Sequence, residues 1–337
     1  MKKVTIYEVA AEAEVSLATV SRVINGSELV KESTRKKVEA AISKLGYKPN
    51  AVAQSLALKR STTIALVVPE ASFVFTGQII NGLVDVAKIY NYNIYLHTIS
   101  EGIVDIKDVI DSIIKTRVDG VVIYNDNLSG IDIETLAEYD IPIVFIGNNI
   151  NANNVSSVYI DTKQAVDDLI GDFIKKGYRD IAILEDRKNE YSSEQLVRGA
   201  ESAFERNGLT FDNQIKIPAN QRSTYTYLGE YFKTNKPEVI IANRDSQAMA
   251  IMNAANEAGY KIPEDIQIVC VLDTKYNKMF RPQLSSFVMP SYDLGAVAMR
   301  MMTKQLSARD NDEDEVKDGM DKNIELSYLY TPRGSTK

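Results

Sequence analysis

Thr5–Asn25, TIYEVAAEAEVSLATVSRVIN, is the stretch of sequence that decides how the first part of this chain folds. Thr5 and Glu8 have the Thr-x-x-Glu spacing of a capping box, which predicts that a helix begins at Thr5. Apolar residues recur at helical spacing along one face of that helix: Ile6, Val9, Ala10 and Ala13. Ser16 is a good N-cap for a second helix over 17–25. The pattern therefore predicts two short helices joined by a tight turn.

The second helix is predicted to have two unlike faces. Its inner face is apolar and consists of Val20, Val23 and Ile24. Its outer face is small and partly polar and consists of Leu17, Ala18, Ser21 and Arg22. Because the major groove of DNA admits a helix, and arginine bonds to base edges there, this outer face fits a helix that reads DNA. The spacing alone fits an ordinary pair of packed helices equally well.

The charge of the chain is unevenly distributed. A third amphipathic helix is predicted over 32–45, with Arg35, Lys36 and Lys37 in its first turns. Residues 1–60 hold 11 Lys and Arg against 6 Asp and Glu, a net charge of +5, whereas the remaining 277 residues have a net charge of −12. A basic segment on an otherwise acidic protein indicates the part that meets a polyanion.

Two segments carry a family resemblance. ATVSRVIN, residues 18–25, and TRKKVEAAISKLGYKPNAVAQSLA, residues 34–57, closely resemble the DNA-binding end of the LacI/GalR repressors. The resemblance extends over almost the whole chain. It implies a helix-turn-helix domain over 1–48, a hinge helix over 49–60 and an effector-binding and dimerisation core over 61–333. In that family the hinge helix orders on operator DNA, and the two hinge helices of a dimer lie in the minor groove.

The resemblance also assigns DNA-binding residues by position. Base reading is assigned to Leu17, Ala18 and Arg22. Contacts to DNA phosphates are assigned to Thr5, Ser16, Thr19, Ser21 and Asn25. Within the hinge, the predicted DNA-binding residues are Asn50, Ala53 and Leu56. Leu56 matches a leucine that enters between the central base pairs, where an apolar wedge unstacks a flexible step and bends the duplex.

Length and composition limit the class of protein. A chain of 337 residues, 45% hydrophobic and 25% charged, fits a small domain followed by a large one, each with a full core. The single cysteine, Cys270, cannot form an internal disulfide, which fits a reducing cytoplasm. The first residues have no apolar signal-peptide region, and no apolar run is long enough to cross a bilayer. These features predict a cytoplasmic protein and argue against a secreted sugar-binding protein.

Strands alternate with helices from residue 61 onward. This order predicts an α/β core of two doubly wound lobes, like that of periplasmic binding proteins. The resemblance implies three crossings between the lobes, near Asp161, Pro290 and Asn323. Lobe 1 is then predicted over about 61–161 and 291–322, and lobe 2 over about 162–290 and 323–333, with 324–329 in the second lobe. The acidic run 309–322 is predicted to be a solvated loop.

A cleft is expected between two such lobes, at the carboxyl ends of their strands. Asp273 matches a family aspartate that holds sugar hydroxyls, and Phe75 and Asp161 are predicted to line the same cleft. One residue departs from the family pattern. Where an arginine usually precedes Gly199 by three residues, this chain has Leu196. Losing a charged donor weakens the binding of a polar ligand by a few kcal/mol, so an ordinary inducer sugar is disfavoured.

A second binding site is predicted on the helix that begins near Tyr292. YDLGAVAMRMMTK, residues 292–304, resembles the catabolite-control regulators of Gram-positive bacteria, a subgroup of this family that binds the phosphocarrier HPr phosphorylated on a serine. Arg300 and Lys304 are four residues apart, so both cations lie on one face and can clamp a phosphoserine. The resemblance adds four further contacts with the carrier: Tyr292, Asp293, Glu70 and Arg333. A solvated basic face is the alternative interpretation.

The sequence carries no pattern typical of an enzyme. His97 is the single histidine, and no Ser-His-Asp group, phosphate-binding glycine loop or metal-ligand spacing accompanies it, so no cofactor or metal is predicted. We therefore expect a homodimeric transcriptional regulator of carbon catabolite control, with serine-phosphorylated HPr as co-effector. The alternative is a repressor of a carbohydrate operon that responds to a sugar or a sugar phosphate. A sugar-processing or sugar-transport protein is a third interpretation, which the basic first 60 residues oppose.

Overall fold

The computed structural model describes the chain as two compact units, 1–62 and 63–337. Its described residues are 4–24, 27, 29–47, 61–69, 73–99, 106–125, 138–150, 152, 155–186, 190–218, 221–310 and 322–337. Within this part of the chain, no helix is both long enough and apolar enough to cross a membrane.

The first unit consists of three helices: α1 Ile6–Glu12, α2 Leu17–Ile24 and α3 Glu32–Leu45. The predicted capping box is present, since the Thr5 backbone N–H donates to Glu8 Oε2 over 2.6 Å. Ser16 caps α2 by accepting from the Thr19 backbone N–H over 3.1 Å. Gly46 ends α3 with φ of +62°, a conformation that glycine adopts without strain. The three helices enclose a small apolar core: Val9, Ala13, Val20, Val23, Val38 and Ala41.

The second unit contains two six-stranded sheets flanked by helices, and the predicted α/β core of two lobes is confirmed. Its strands are β1 Thr63–Val68, β2 Asn93–Thr98, β3 Gly120–Tyr124, β4 Ile143–Gly147, β5 Val155–Tyr159, β6 Ile181–Asp186, β7 Gln214–Ile217, β8 Val239–Ala242, β9 Gln267–Leu272, β10 Ser285–Val288, β11 Asn323–Glu325 and β12 Leu329–Thr331. Its helices are α4 Val74–Ile89, α5 Ile106–Lys115, α6 Thr162–Lys175, α7 Glu190–Arg206, α8 Gln221–Tyr231, α9 Asp245–Glu257 and α10 Ser291–Asp310, with a 3-10 turn at Lys275–Lys278.

Each sheet forms the centre of one lobe. Lobe 1 has the strand order β11-β5-β4-β3-β1-β2, is wholly parallel, and carries α4, α5 and α10. Lobe 2 has the order β12-β10-β9-β8-β6-β7 and carries α6 to α9. Only the short β12 runs antiparallel to its neighbour among these described strands. The central strands are buried on both faces, as parallel strands covered by helices must be.

The last crossing between the lobes differs from the prediction. β11 pairs with β5 in lobe 1, and Ser157 Oγ donates to Asn323 Oδ1 over 2.8 Å, whereas β12 pairs with β10 in lobe 2. The chain therefore crosses after Glu325, and the prediction that 324–329 adds to the second lobe is wrong for its first two residues. β10 was not predicted at all. Strands of three or four residues are too short to show the alternation that identifies a strand.

Helices α4 and α10 cross in lobe 1 at two glycines. A Cβ atom at Gly82 would overlap the carbonyl oxygen of Tyr292, and a Cβ atom at Gly295 would overlap the carbonyl oxygen of Ile79. Backbone therefore packs directly on backbone at this crossing, in a way that only glycine allows. The contact fixes α10 against lobe 1.

Candidate DNA-reading face, cleft and docking helix

The predicted DNA-reading residues share one face of α2. Leu17, Ala18 and Arg22 are exposed, whereas Val20 and Val23 on the other face are buried in the core of the first unit. Leu17 is 38% exposed, so part of its side chain is accessible to a partner. The helix therefore presents a mixed face with one cation, suited to a groove of DNA.

Further predicted DNA contacts surround this face. Thr5 and Ser16 are exposed at the starts of their helices, and Thr19 and Ser21 are half-buried. Sequence analysis missed Tyr7, whose side chain on α1 is 69% exposed and presents a hydroxyl. Its position between Ile6 and Glu8, off the apolar stripe, was the available signal. The remaining predicted contacts lie outside the described residues: Asn25, Asn50, Ala53, Leu56 and, for the phosphocarrier, Glu70.

A cavity of about 250 Å³ lies between the carboxyl ends of the strands of the two lobes. Phe75 and Asp161 line it, in agreement with the sequence analysis. The other lining residues are Tyr124, Gly147, Asn148, Asn149, Tyr159, Ile160, Thr162, Lys163, Tyr191, Ser192, Gln195, Asn243, Val271, Leu272, Met289 and Leu294. Apolar side chains and a few polar groups together make a wall typical of a small-molecule site.

Hydrogen bonds fix part of the polar wall of the cavity. Asp161 Oδ1 accepts from the Gln164 backbone N–H over 2.9 Å and so caps α6. Tyr159 accepts from Asn149 Nδ2 over 3.1 Å and donates to Glu325 over 3.3 Å; burial raises the pKa of its phenol, and the Glu325 carboxylate raises it further. Within the described part of the chain, Ser192 Oγ is buried and makes no hydrogen bond. This hydroxyl is therefore available to a ligand in the cavity.

The structure corrects the predicted roles of Asp273 and Arg333. Neither residue lines the cavity. Their side chains are 11% and 9% exposed and form an ion pair of 2.9 Å. Asp273 also accepts from Ser286 Oγ over 2.7 Å, and Arg333 donates to the Leu284 carbonyl over 2.6 Å. The Asp273 carboxylate is thus committed to Arg333 rather than to ligand hydroxyls, and the buried Arg333 does not present a cation to a protein partner.

Leu196 has an apolar role. Its side chain is fully buried in the core that continues from lobe 2 into lobe 1, and it does not face the cavity. Helix α7 presents Tyr191, Ser192 and Gln195 to the cavity instead, all of them uncharged. The sequence prediction did not include these three residues, although Gln195 and Ser192 lie one and four positions before Leu196. Among the side chains of α7 that the structure describes, none therefore supplies a charged donor to a ligand in the cavity.

Helix α10 presents a mixed charged face to solvent. Asp293, Arg300 and Lys304 are exposed, and the half-buried Val297 lies between them at helical spacing. The opposite face is buried and includes Leu294, Met299 and Met302. The two predicted cations therefore do lie one turn apart on an outer face, with a carboxylate nearer the start of the helix.

Tyr292 is held at the edge of this face by a residue that sequence analysis missed. Its hydroxyl donates to Asp85 Oδ2 on α4 over 3.2 Å, and the side chain is 41% exposed. This hydrogen bond raises the pKa of the Tyr292 phenol, with a further contribution from burial. Asp85 also pairs with Lys88 over 3.2 Å. Charged side chains of α4 thus lie beside the N-terminal end of α10.

The described residues contain no group of three or more His, Cys, Asp or Glu side chains placed to hold a metal ion. Cys270 is fully buried on β9, and burial raises the pKa of its thiol, so it is an unreactive core residue.

Two family models match different parts of the chain. Residues 5–50 match the model of bacterial regulatory proteins of the lacI family. Residues 170–336 match a periplasmic binding protein-like domain.

Similar proteins span the whole length. Catabolite control protein A of Staphylococcus xylosus is 35% identical over 339 residues, with 99% of each chain covered. A Lac repressor dimer bound to operator and the anti-inducer ONPF has a TM-score of 0.85 at 23% identity, with 99% of each chain covered. The transcription regulator CcpA of Lactococcus lactis has a TM-score of 0.68 at 24% identity and covers 82% of this chain and 99% of its own. The structural likenesses show the shared fold.

Proposed function

This chain belongs to the LacI family of bacterial transcriptional regulators and is similar to catabolite control protein A, and we propose that it binds a palindromic operator as a homodimer with serine-phosphorylated HPr as its co-effector. It is a regulator rather than an enzyme. The observation that carries the proposal is the outer face of α10, where two exposed cations one turn apart follow an exposed carboxylate.

DNA reading is assigned to the exposed face of α2. Leu17, Ala18 and Arg22 would contact base edges, and Arg22 supplies the forked donor that guanine accepts. Contacts to phosphates are assigned to Thr5, Ser16, Thr19, Ser21 and Asn25, with Tyr7 added because its side chain on α1 is exposed. The hinge residues Asn50, Ala53 and Leu56 would follow the minor groove, as in the family. Such contacts place one reading helix of each protomer on one half of the operator.

Replacing Arg22 with alanine is expected to weaken specific operator binding about tenfold to 100-fold, because one bidentate base contact contributes about 1–3 kcal/mol of discrimination. Binding to unrelated DNA should weaken much less. Fluorescence anisotropy with both duplexes at one fixed salt concentration measures the ratio. Lys37→Ala is the matched control, since it removes one exposed cation from α3. Equal losses on the two duplexes with Arg22→Ala would remove this residue from the reading face.

A second copy of the chain is the partner proposed for the edge of lobe 1. β2 is the last strand of its sheet and leaves one edge unpaired within the described part of the chain. Large apolar side chains around it are exposed: Ile89 by 72%, Tyr90 by 50%, Tyr95 by 41% and Leu96 by 42%. An exposed apolar patch beside a free strand edge favours association with another protein surface. Two-fold pairing there would suit a palindromic operator.

The phosphocarrier is proposed to dock on the outer face of α10. Arg300 and Lys304 would clamp the phosphoserine, with arginine supplying two donors and lysine a point charge. Asp293 and Tyr292 would contact the carrier beside the phosphate, and Val297 offers an apolar centre between the charged groups. Glu70 is also proposed to contact the carrier, because the family resemblance assigns it that role. Arg333 is left out because it is buried against Asp273.

The test is anisotropy of a fluorescent operator duplex titrated with protein, with and without serine-phosphorylated HPr, at one fixed salt concentration. The carrier should tighten operator binding by the unaltered protein. Arg300→Ala with Lys304→Ala should reduce this stimulation about tenfold to 100-fold, the range expected when hydrogen bonds to charged groups are lost. Binding of DNA without the carrier should stay unchanged.

Two controls define the result. Lys175→Ala with Lys233→Ala removes the same charge from two exposed positions in lobe 2 and should keep the response to the carrier. HPr without its phosphate should give no stimulation. If the double variant at residues 300 and 304 still responds fully, the docking face on α10 is wrong. If no form of the protein responds, HPr is not the co-effector.

The alternative function is a repressor that responds to a sugar or a sugar phosphate, and the cavity favours it in one respect. Ser192 Oγ is buried on the cavity wall and makes no hydrogen bond with the part of the chain that the structure describes, so a ligand hydroxyl could satisfy it. Phe75 and Asp161 would then contact the ligand. An operator affinity that changes with a sugar, and not with the phosphorylated carrier, would establish this alternative.

A further inference from the structure

A cation stacked on an aromatic ring joins the two lobes beside the cavity. Phe73 is the residue before α4 in lobe 1, and Arg244 is the residue before α9 in lobe 2. The guanidinium carbon of Arg244 lies 4.6 Å from the centroid of the Phe73 ring. Their close neighbours in sequence, Phe75 and Asn243, line the cavity. The contact is therefore made at the cleft, between elements that belong to different sheets.

We propose that Phe73 and Arg244 form a latch that holds lobe 1 and lobe 2 closed over the cleft by a contact that the protein itself supplies. A cation–π contact extends over about 6 Å from the ring centroid, so a small rotation of one lobe would break it. The latch therefore distinguishes a closed arrangement of the lobes from an open one. Such a contact sets the balance between the two arrangements before any effector acts.

Each residue of the latch is the N-cap of a helix in its own lobe. The Arg244 backbone N–H donates to Gln247 Oε1 over 3.1 Å, and the next residue, Asp245, accepts from Thr274 Oγ1 over 2.6 Å. These bonds fix the start of α9 in lobe 2. Phe73 is the N-cap of α4, where its carbonyl accepts from the Gly77 backbone N–H over 2.8 Å, and α4 packs against α10 at the glycine crossing in lobe 1. Because each side chain is attached to the start of a helix of its own lobe, the stack reports the position of one lobe relative to the other.

The segments that join the two lobes can act as hinges between them. Three segments cross between them, around Ile160, Pro290 and Tyr328, and the apolar core is continuous beneath the cleft through residues such as Met289 and Leu294. Short crossing segments of this kind absorb hinge motion. A latch at the cleft is then a contact that closure makes and opening breaks.

The test measures the distance between the lobes in the full chain, without DNA or carrier. Spin labels are attached to Ser112→Cys on α5 and Ser223→Cys on α8, both exposed positions on different lobes. The native thiol of Cys270 is fully buried and stays unlabelled. Pulsed electron paramagnetic resonance then gives the distribution of distances between the labels. The doubly labelled protein with the latch intact is the reference.

Phe73→Ala and Arg244→Ala should each lower the ratio of closed to open forms about 3-fold to 30-fold, the range that a cation–π contact supplies. Adding Phe73→Ala to the Arg244→Ala variant should have no further effect, because the cation of the contact is already absent. Phe73→Tyr should keep the reference distribution, since a tyrosine ring also binds a cation on its face.

Two results would overturn the latch: unchanged distances in both alanine variants, or a Phe73→Tyr variant that opens as far as Phe73→Ala. Neither result bears on operator binding or on the phosphocarrier, because the measurement uses neither. The latch and the proposed function can therefore fail separately.

Discussion

Replacing Gly295 with alanine is expected to destabilise the core by about 3 kcal/mol, at the upper end of the effect of overpacking. The new methyl group would overlap the Ile79 carbonyl oxygen and lie against the backbone of Leu83. These are backbone atoms in the middle of α4, so no side-chain rotation can relieve the overlap. Gly82→Ala should destabilise the protein to a similar extent, because its methyl group would overlap the Tyr292 carbonyl oxygen. Chemical denaturation followed by circular dichroism measures the change in unfolding free energy.

Gly77→Ala is the matched control for this prediction. Gly77 lies on the same helix, α4, and a methyl group there would meet no atom within 4 Å. Alanine should therefore stabilise that position by about 0.5–1 kcal/mol, the usual gain over glycine in a helix. If Gly295→Ala had the same small effect as Gly77→Ala, the helices would not cross as closely as the structure places them. A shifted α10 in the Gly295 variant should also weaken the proposed response to the phosphocarrier.

Replacing Arg333 with alanine is expected to destabilise the protein by about 3–5 kcal/mol, since it leaves the Asp273 carboxylate buried without its partner. The pair is about nine-tenths buried, and among the described residues Ser286 would remain to donate to the carboxylate. The same tail is anchored beyond Arg333, where Ser335 is fully buried and its hydroxyl donates to the Ile268 carbonyl over 2.6 Å. The loss should therefore appear as a lower denaturant midpoint for the whole second unit.

Arg198→Ala is the matched control for the buried pair. Arg198 forms an ion pair with Glu194 one turn away on α7, but both side chains are at least half exposed. Removing an exposed pair of this kind changes stability by less than about 1 kcal/mol. Similar losses for Arg333→Ala and Arg198→Ala would show that Asp273 is solvated in solution. A solvated carboxylate at Asp273 could then contact a ligand, as the family resemblance implies.

The sequence alone predicted the features that depend on near neighbours. The capping box of Thr5 and Glu8, the apolar stripe of α2 and the single outer face of Arg300 and Lys304 are all set by residues within one or two helical turns. Helical periodicity acts over that same range, so the pattern of residues determines them directly. The alternation of strands and helices likewise indicated two parallel sheets, because long buried strands have a recognisable composition.

Tertiary structure decided the contacts between residues far apart in the chain. Arg333 meets Asp273 across 60 residues of the chain. Asp273 was predicted to bind a ligand and Arg333 to contact the carrier, but their side chains form one buried ion pair. The membership of β11 in lobe 1 and the stacking of Arg244 on Phe73 were equally invisible in the sequence. Local pattern does not encode such contacts, since each depends on how whole sheets and helices pack. The sequence thus determined the elements and their faces, whereas packing of those elements determined which side chains meet.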